Sequence, residues 1–283
     1  MYKKNAYLIM AHNDFSILKK ILKVLDDDES DFYIHIDKKS DFQNKSEFEL
    51  YLKKSKIYFI DSMDITWGGR SQIDLEIALL KKSTEKEYGY YHLLSGVDFP
   101  LKRPCEINEY FTSNYGVNYI DFDSEDKDYS DRVKYYHFFQ NRIGKNRSFL
   151  MYVQKVLLFI QKVIKVNRLK DKNLKIYKGA NWFSITYDLA SYVVENFYKF
   201  DKMFDFSICA DEVFLQTIAM ASPYRDTINK NCLREIDWKR GRPYIFRKND
   251  FDELIKSQNF FARKFSTQID GEIIDKLYHY LSD

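Results

Sequence analysis

Three small groups of charged residues have the types and spacing to do chemistry. Cys209-Ala210-Asp211-Glu212-Val213-Phe214 sets two carboxylates where a helix is expected to begin. A helix N-terminus favours the ionised carboxylate that a general base must be, although plain first-turn capping selects the same residues. Arg242 and the adjacent Arg263-Lys264 form a cationic group, the latter two lying between Phe261 and Phe265 in a segment apolar enough to make unpaired charge costly. Arginine grips phosphate through paired hydrogen bonds and lysine adds a point charge, with surface ion pairing as the plainer account. Asp121-Phe122-Asp123 has the Asp-x-Asp spacing that can hold Mg²⁺ or Mn²⁺ on a diphosphate. Ser124, Glu125, Asp126 and Asp128 follow it, and the run reads as a solvated acidic loop. The five histidines show no metal-ligand spacing either.

Alternating strands and helices must position these groups. Ala6–Ala11, Phe32–Asp37, Ile57–Asp61, Tyr88–Ser95 and Val117–Asp123 have strand length and apolar character. Between them, Ile17, Leu18, Ile21, Leu22 and Leu25 recur at helical spacing behind a cap at Asn13 or Asp14, and Ser71–Lys82 reads as a second helix. A further helix opens at Pro104. This order predicts a mostly parallel central sheet flanked by helices, with ligands beyond the carboxyl ends of the strands, where His12, Asp37, Asp61, Ser95 and Asp98 fall. Later come a strand at Asn181–Thr186, a helix through Phe197, a helix starting near Asp211, a turn at Gly241–Pro243 and a terminal helix. The absence of a linker makes the chain one domain over 1–283, with a first half at 1–123 and a second at 124–283.

Composition excludes more than it selects. There is no GxGxxG after the first strand and no GxxxxGK[ST], which argues against dinucleotide-binding and P-loop enzymes. A net charge of +3 is too small to point to nucleic acid. Cys105, Cys209 and Cys232 form no CxxC and suggest neither zinc nor disulfides. With no signal-peptide core after Met1-Tyr2-Lys3-Lys4 and no spanning helix, a cytoplasmic location is expected, with peripheral attachment to the inner face of the plasma membrane as the alternative.

Taken together, AYLIMAHND, YIHIDKKS, ITWGGRSQIDLEIALL, YHLLSGVDFPLK, KGANWFSIT, ADEVFLQT and FFARKFS occur in an order that resembles the core-2/I-branching β-1,6-N-acetylglucosaminyltransferases and the related peptide O-xylosyltransferases. The resemblance covers most of the chain. It implies a GT-A-like α/β fold and an inverting, metal-independent transfer of a sugar from a UDP-sugar co-substrate to a hydroxyl. By position in the motifs it implies Glu212 as catalytic base and Lys264, Arg263 and Arg242 around the donor diphosphate. It also implies His12, Asp37, Asp98, Asp211, Lys178 and Trp182 lining the nucleotide-sugar pocket. The membrane anchor, stem and many cysteines of animal members are missing, and Ser124–Arg142 matches poorly. The reading is therefore a bacterial type acting on a glycan or lipid-linked saccharide in surface polysaccharide synthesis. A metal-dependent transferase using Asp121 and Asp123, or a non-catalytic glycan-binding partner subunit, are the alternatives.

Asn146–Arg168 is basic and amphipathic. Gln154, Lys155, Gln161, Lys162, Lys165 and Arg168 fall on one face, and the apolar residues are available for the other. Packing of the apolar face on the core is the ordinary expectation; contact with anionic lipid is the alternative.

Overall fold

Asn5–Ala11 (β1) is buried along nearly its whole length, Tyr7, Ile9 and Ala11 packing on one side and Ala6 and Leu8 on the other. A strand covered on both faces needs apolar residues at both parities, which is why it reads as a continuous run. In the computed structural model, which describes residues 3–40, 42, 44–145, 148–170 and 174–282, β1 lies near the middle of a seven-stranded sheet. The other strands of that sheet are β2 (Ser30–Ile36), β3 (Lys56–Phe59), β4 (Tyr90–Ser95), β6 (Asn118–Ile120), β7 (Phe183–Thr186) and β8 (Ile228–Asn229), in the order β3-β2-β1-β4-β7-β6-β8. The first four run parallel, β7 is antiparallel to both β4 and β6, and β8 is parallel to β6. A smaller sheet joins β5 (Phe99–Pro100), β10 (Phe261–Arg263) and β9 (Arg234–Ile236).

The helices are α1 (Phe15–Val24), α2 (Arg70–Ser83), α3 (Pro104–Ser113), α4 (Asp131–Lys134), α5 (Gln140–Ile143) and α6 (Phe149–Val163), then α7 (Tyr187–Asn196), α8 (Asp201–Phe204), α9 (Phe214–Met220), α10 (Phe251–Lys256), α11 (Thr267–Asp270) and α12 (Glu272–Ser282). Residues from α1, α3, α12 and the small sheet fill one core, and residues from α2, α7 and α9 fill the other. The expected α/β architecture, a mostly parallel sheet between helical layers, is the one found. Because β7 and β8 belong to the central sheet, the second half of the chain completes the sheet that the first half begins.

Arg234 ties the two sheets together. It is buried, and its guanidinium donates to Ser184 Oγ (2.7 Å), Phe183 O (2.7 Å) and Leu93 O (3.0 Å). With no carboxylate among these partners, burial lowers its affinity for the proton to about 10, a cost that the dense acceptor set offsets.

Three expectations need correction. The fifth strand stops at Ile120 rather than Asp123, because Asp121 and Asp123 bond instead to the segment before β7. Asp211 and Glu212 do not open the helix that follows. They form a one-turn 3₁₀ segment, Ala210–Glu212, and α9 starts at Phe214. The helix predicted over Asn146–Arg168 spans Phe149–Val163, with Asn146 and Arg147 outside the described residues. Its packing also differs: Gln154 and Gln161 are buried, while Phe149, Tyr152, Val156, Phe159, Ile160 and Val163 are exposed along with Lys155 and Lys162.

Candidate active site

Cys209 enters the Ala210–Glu212 turn in the left-handed region, at φ 45°. Its N–H donates to Gly68 O (2.8 Å), which fastens the turn to the loop before α2. Gly68 itself has φ +67°, and a Cβ there would stand 2.9 Å from both Cys209 Sγ and Gln140 Nε2, so only glycine fits. The turn presents Glu212, whose side chain is 36% exposed. Arg132 Nη1 lies 2.9 Å from Glu212 Oε2 and also donates to Cys209 O at 2.7 Å. Lys178 Nζ lies 3.5 Å from the same carboxylate oxygen. Two cations from distant segments, rather than a helix dipole, therefore orient this carboxylate.

Behind it lie two buried carboxyls. Asp211 accepts from Gln72 Nε2 at 3.0 Å, and burial followed by the neighbouring Glu212 pushes its pKa up to about 7. Glu76, one turn along α2 from Gln72, is fully buried; burial and then Asp211 hold it well above the usual carboxylate range. Asn181 Nδ2 donates to Glu76 Oε1 at 3.5 Å. A single water-facing carboxylate is thus backed by groups that favour their neutral forms.

The segment Lys178–Trp182 connects this cluster to a second one. Asp123 N donates to Lys178 O (2.7 Å), Gly179 N to Glu212 O (3.0 Å) and Ala180 N to Asp121 Oδ2 (2.8 Å). A Cβ on Gly179 would come within 1.9 Å of Asp121 O, which gives the glycine of KGANW its reason. Lys178 Nζ also binds the Asp123 carboxylate. The Asp-x-Asp carboxylates are therefore engaged, one by a backbone N–H and the other by an ammonium. Among the described residues no group of three or more His, Cys, Asp or Glu side chains is placed to hold a metal ion.

At the other end of the segment Trp182 is buried, with the Arg263 guanidinium 4.2 Å from its ring centroid. Arg263 Nη1 donates to Asp98 Oδ1 and Ser95 Oγ, both at 2.8 Å, and Asp98 in turn accepts from Ser95 N (2.8 Å) and Ser95 Oγ (2.6 Å). Asp98 is fully buried, so this pair fixes the small sheet against the end of β4 and leaves Lys264 as the neighbouring cation. Lys264 is part-buried and makes no ion pair among the described residues. Burial, then Arg263 and Lys145, lowers its pKa. His12, at the end of β1, is likewise lowered, first by desolvation and then by Lys264, against the pull of Asp37 at the end of β2. Asp37 is nearly buried and accepts from Lys39 N at 2.9 Å. Arg242 is exposed on a hairpin whose Tyr244 O accepts from Lys264 N at 3.4 Å.

All but one of the site residues singled out from sequence thus form three adjoining groups, Glu212 with Asp211 and Lys178, Asp98 with Arg263 and Trp182, and Lys264 with His12 and Asp37; Arg242 makes no ion pair with any of them among the described residues. Sequence reasoning missed Arg132, Lys145, Gln72 and Glu76. Arg132 and Lys145 lie in stretches with no motif. Gln72 and Glu76 left a signal, two polar residues four apart beside the apolar positions of α2. A separate cavity lined by Asn5, Tyr90, Phe111 and Tyr115 lies at the opposite, N-terminal ends of the strands.

Rat xylosyltransferase 2 is 23% identical over 303 residues, a match covering 98% of this chain and 33% of that protein. Human xylosyltransferase 1 is 22% identical over 307 residues, covering 98% and 30%. The chain spans about a third of the length of these relatives. Mouse xyloside xylosyltransferase 1, in its apo form, superposes with a TM-score of 0.41 at 15% identity, covering 91% of this chain and 96% of that one. The family model described as Core-2/I-Branching enzyme matches residues 5–256, nearly the whole of the sheet and every group of the site except Arg263-Lys264, and the chain belongs to that family.

Proposed function

We propose that the chain is an inverting glycosyltransferase that moves a sugar from a UDP-sugar to a hydroxyl of a glycan or lipid-linked saccharide, without a metal. The observation that carries the reading is Glu212, partly exposed and held through Oε2 by Arg132 and Lys178, which leaves Oε1 for an acceptor hydroxyl. In the reaction the acceptor proton passes to Glu212 and the acceptor oxygen bonds to the anomeric carbon. The bond from that carbon to the diphosphate oxygen breaks on the opposite face, and UDP leaves with the electron pair. Inversion follows from a single displacement, and a β-linkage from an α-linked donor.

Lys264 with Arg242 and Lys145 supplies positive charge for the departing diphosphate. Arg263, engaged with Asp98, acts as a positioning residue. Asp37 and His12 line the nucleotide end. Support for metal independence comes from the Asp-x-Asp pair: Lys178 already neutralises Asp123, and a divalent cation would have to displace an ammonium. The donor sugar is an N-acetylhexosamine, hexose or xylose, and the family relationship and the acceptor reading suit synthesis of a bacterial surface polysaccharide at the inner face of the membrane.

The test is UDP release over a panel of UDP-sugars in excess EDTA, repeated with Glu212→Gln. Turnover in EDTA that disappears in Glu212→Gln with UDP binding intact is the expected result. Turnover that requires Mn²⁺, or that survives in Glu212→Gln, would overturn the metal-free and base assignments respectively.

A further inference from the structure

The exposed residues of α6 form one stripe. Phe149, Tyr152, Val156, Phe159, Ile160 and Val163 recur at intervals of three and four and point away from Gln154 and Gln161, the helix's buried residues. Ile164, just past the helix, is 65% exposed and extends the stripe. No helix among the described residues is long and apolar enough to cross a membrane, so the stripe is not part of a span.

Charge says what covers it. From Arg142 to Lys170 the sequence contains eight basic residues and no Asp or Glu. Lys155, Lys162 and Lys165 are exposed on or beside α6; Lys162 lies 3.7 Å from Asp131, a solvent-exposed pair that contributes little. A second copy of the chain would bring two such basic segments together, and cores of protein interfaces are depleted in lysine. Large apolar side chains along one face, flanked by lysines, are instead what a helix needs to lie in the plane of a lipid headgroup region.

We infer that α6 docks the protein on an anionic bilayer surface, its apolar stripe entering the interface and its lysines meeting acidic headgroups. Position gives this a use. The Gln154 and Gln161 side chains grip the backbone at Phe139 and Tyr136, in the segment that follows α4, and α4 carries the Arg132 that holds Glu212. Docking would therefore set the proposed base beside the surface at which a lipid-linked saccharide is presented. That consequence rests on the transfer reading; the docking does not, and vesicle binding can be measured without turnover.

The experiment is flotation of the full chain with vesicles of phosphatidylcholine alone or mixed with phosphatidylglycerol, at low and high salt. Binding to the mixed vesicles, weakened by salt, is expected. The triple variant Lys155→Glu, Lys162→Glu, Lys165→Glu should lose on the order of a hundred-fold in affinity, about five-fold per lysine. Phe159→Ser with Ile160→Ser and Val163→Ser should lose at least about ten-fold with all lysines in place. Unchanged melting temperature and UDP binding would show both variants folded. Absence of wild-type binding, or equal binding by either variant, overturns the inference. So does a wild-type dimer that the serine variant dissociates while vesicle binding stays the same, since a second copy would then cover the stripe.

Discussion

Arg132→Ala removes the closer of the two cations on Glu212. One nitrogen, Nη1, serves both Glu212 Oε2 at 2.9 Å and Cys209 O at 2.7 Å, so the substitution frees the carboxylate and loosens the turn that carries it. A hydrogen bond to a charged group contributes about 1.5–3 kcal/mol. The side chains are 25% and 36% exposed, and water screens part of that, leaving about 1–2 kcal/mol. Lys178 at 3.5 Å stays in place, so Glu212 is not left without a counter-charge. If the lost energy is orientation of the base in the transition state, kcat should fall by about 5–30-fold. Donor KM and the Kd of UDP, which depend on the Lys264 end, should change by no more than about two-fold. Arg132→Lys keeps a charge but cannot reach both oxygens in one geometry, and should fall between. The assay is initial-rate UDP release at varied donor and saturating acceptor, corrected for folded fraction from a thermal melt, with calorimetry of UDP binding alongside. An Arg132→Ala enzyme with wild-type kcat per folded molecule, or one in which only KM moves, would refute the assignment of Arg132 as the residue that aims the base.

Three further outcomes follow from the geometry. The lowered pKa of Lys264 means that UDP binding, which needs the ammonium, should weaken as pH rises through a value below the ordinary lysine range; Lys264→Arg should flatten that alkaline loss in calorimetric titrations, and an unchanged profile would remove Lys264 from the diphosphate site. Asp211, raised to about 7 from 3.8, binds its proton more tightly folded than unfolded, so its contribution to stability declines as pH rises from about 4 to about 7. Asp211→Asn should therefore melt higher than wild type near pH 8 and lose that advantage towards pH 4. Gly179→Ala drives a Cβ to 1.9 Å from a backbone carbonyl and should melt several degrees lower or fail to fold, whereas Gly271→Ala, whose Cβ meets nothing nearer than 3.7 Å, should melt near wild type.

The sheet was legible because its central strands are covered on both faces and are largely apolar at both parities, as in β1 and β4. The insertion of β7 between β4 and β6 was not, since strand pairing is set by which edges meet in space and Phe183–Thr186 carries no mark of its neighbours. At the site the same division holds. Glu212 could be singled out as half of an acidic pair where a helix was expected to begin, and Lys264 as a cation in an apolar segment, where unpaired charge is costly. Their settings could not: Arg132 is eighty residues from Glu212 in the chain, and Lys145 bears on Lys264 from across the fold. Even the setting of Glu212 changed, from a helix terminus to a pair of cations, although the residue itself did not.

Helix α6 shows the limit most sharply. Its periodicity separates an apolar face from a polar one, but periodicity alone carries no sign for which face is inward. What decides it is the segment beside it. Residues 136–139 have no regular partner strand or helix, so their backbone N–H and C=O groups would be left unsatisfied against an apolar helix. Gln161 meets both at once, Oε1 accepting from Tyr136 N at 2.8 Å and Nε2 donating to Tyr136 O at 3.0 Å, while Gln154 accepts from Phe139 N at 2.9 Å. A glutamine amide carries one donor group and one acceptor and can close such a pair; leucine cannot. The two glutamines therefore turn inward to satisfy the backbone of an irregular segment, the lysines beside them stay exposed, and the apolar stripe is left outside as a consequence. Gln161→Leu would bury more carbon yet strand both Tyr136 groups, and should destabilise the protein by about 1–3 kcal/mol in chemical denaturation. A Gln161→Leu protein as stable as wild type would mean that the apolar stripe, rather than the glutamines, sets how α6 lies.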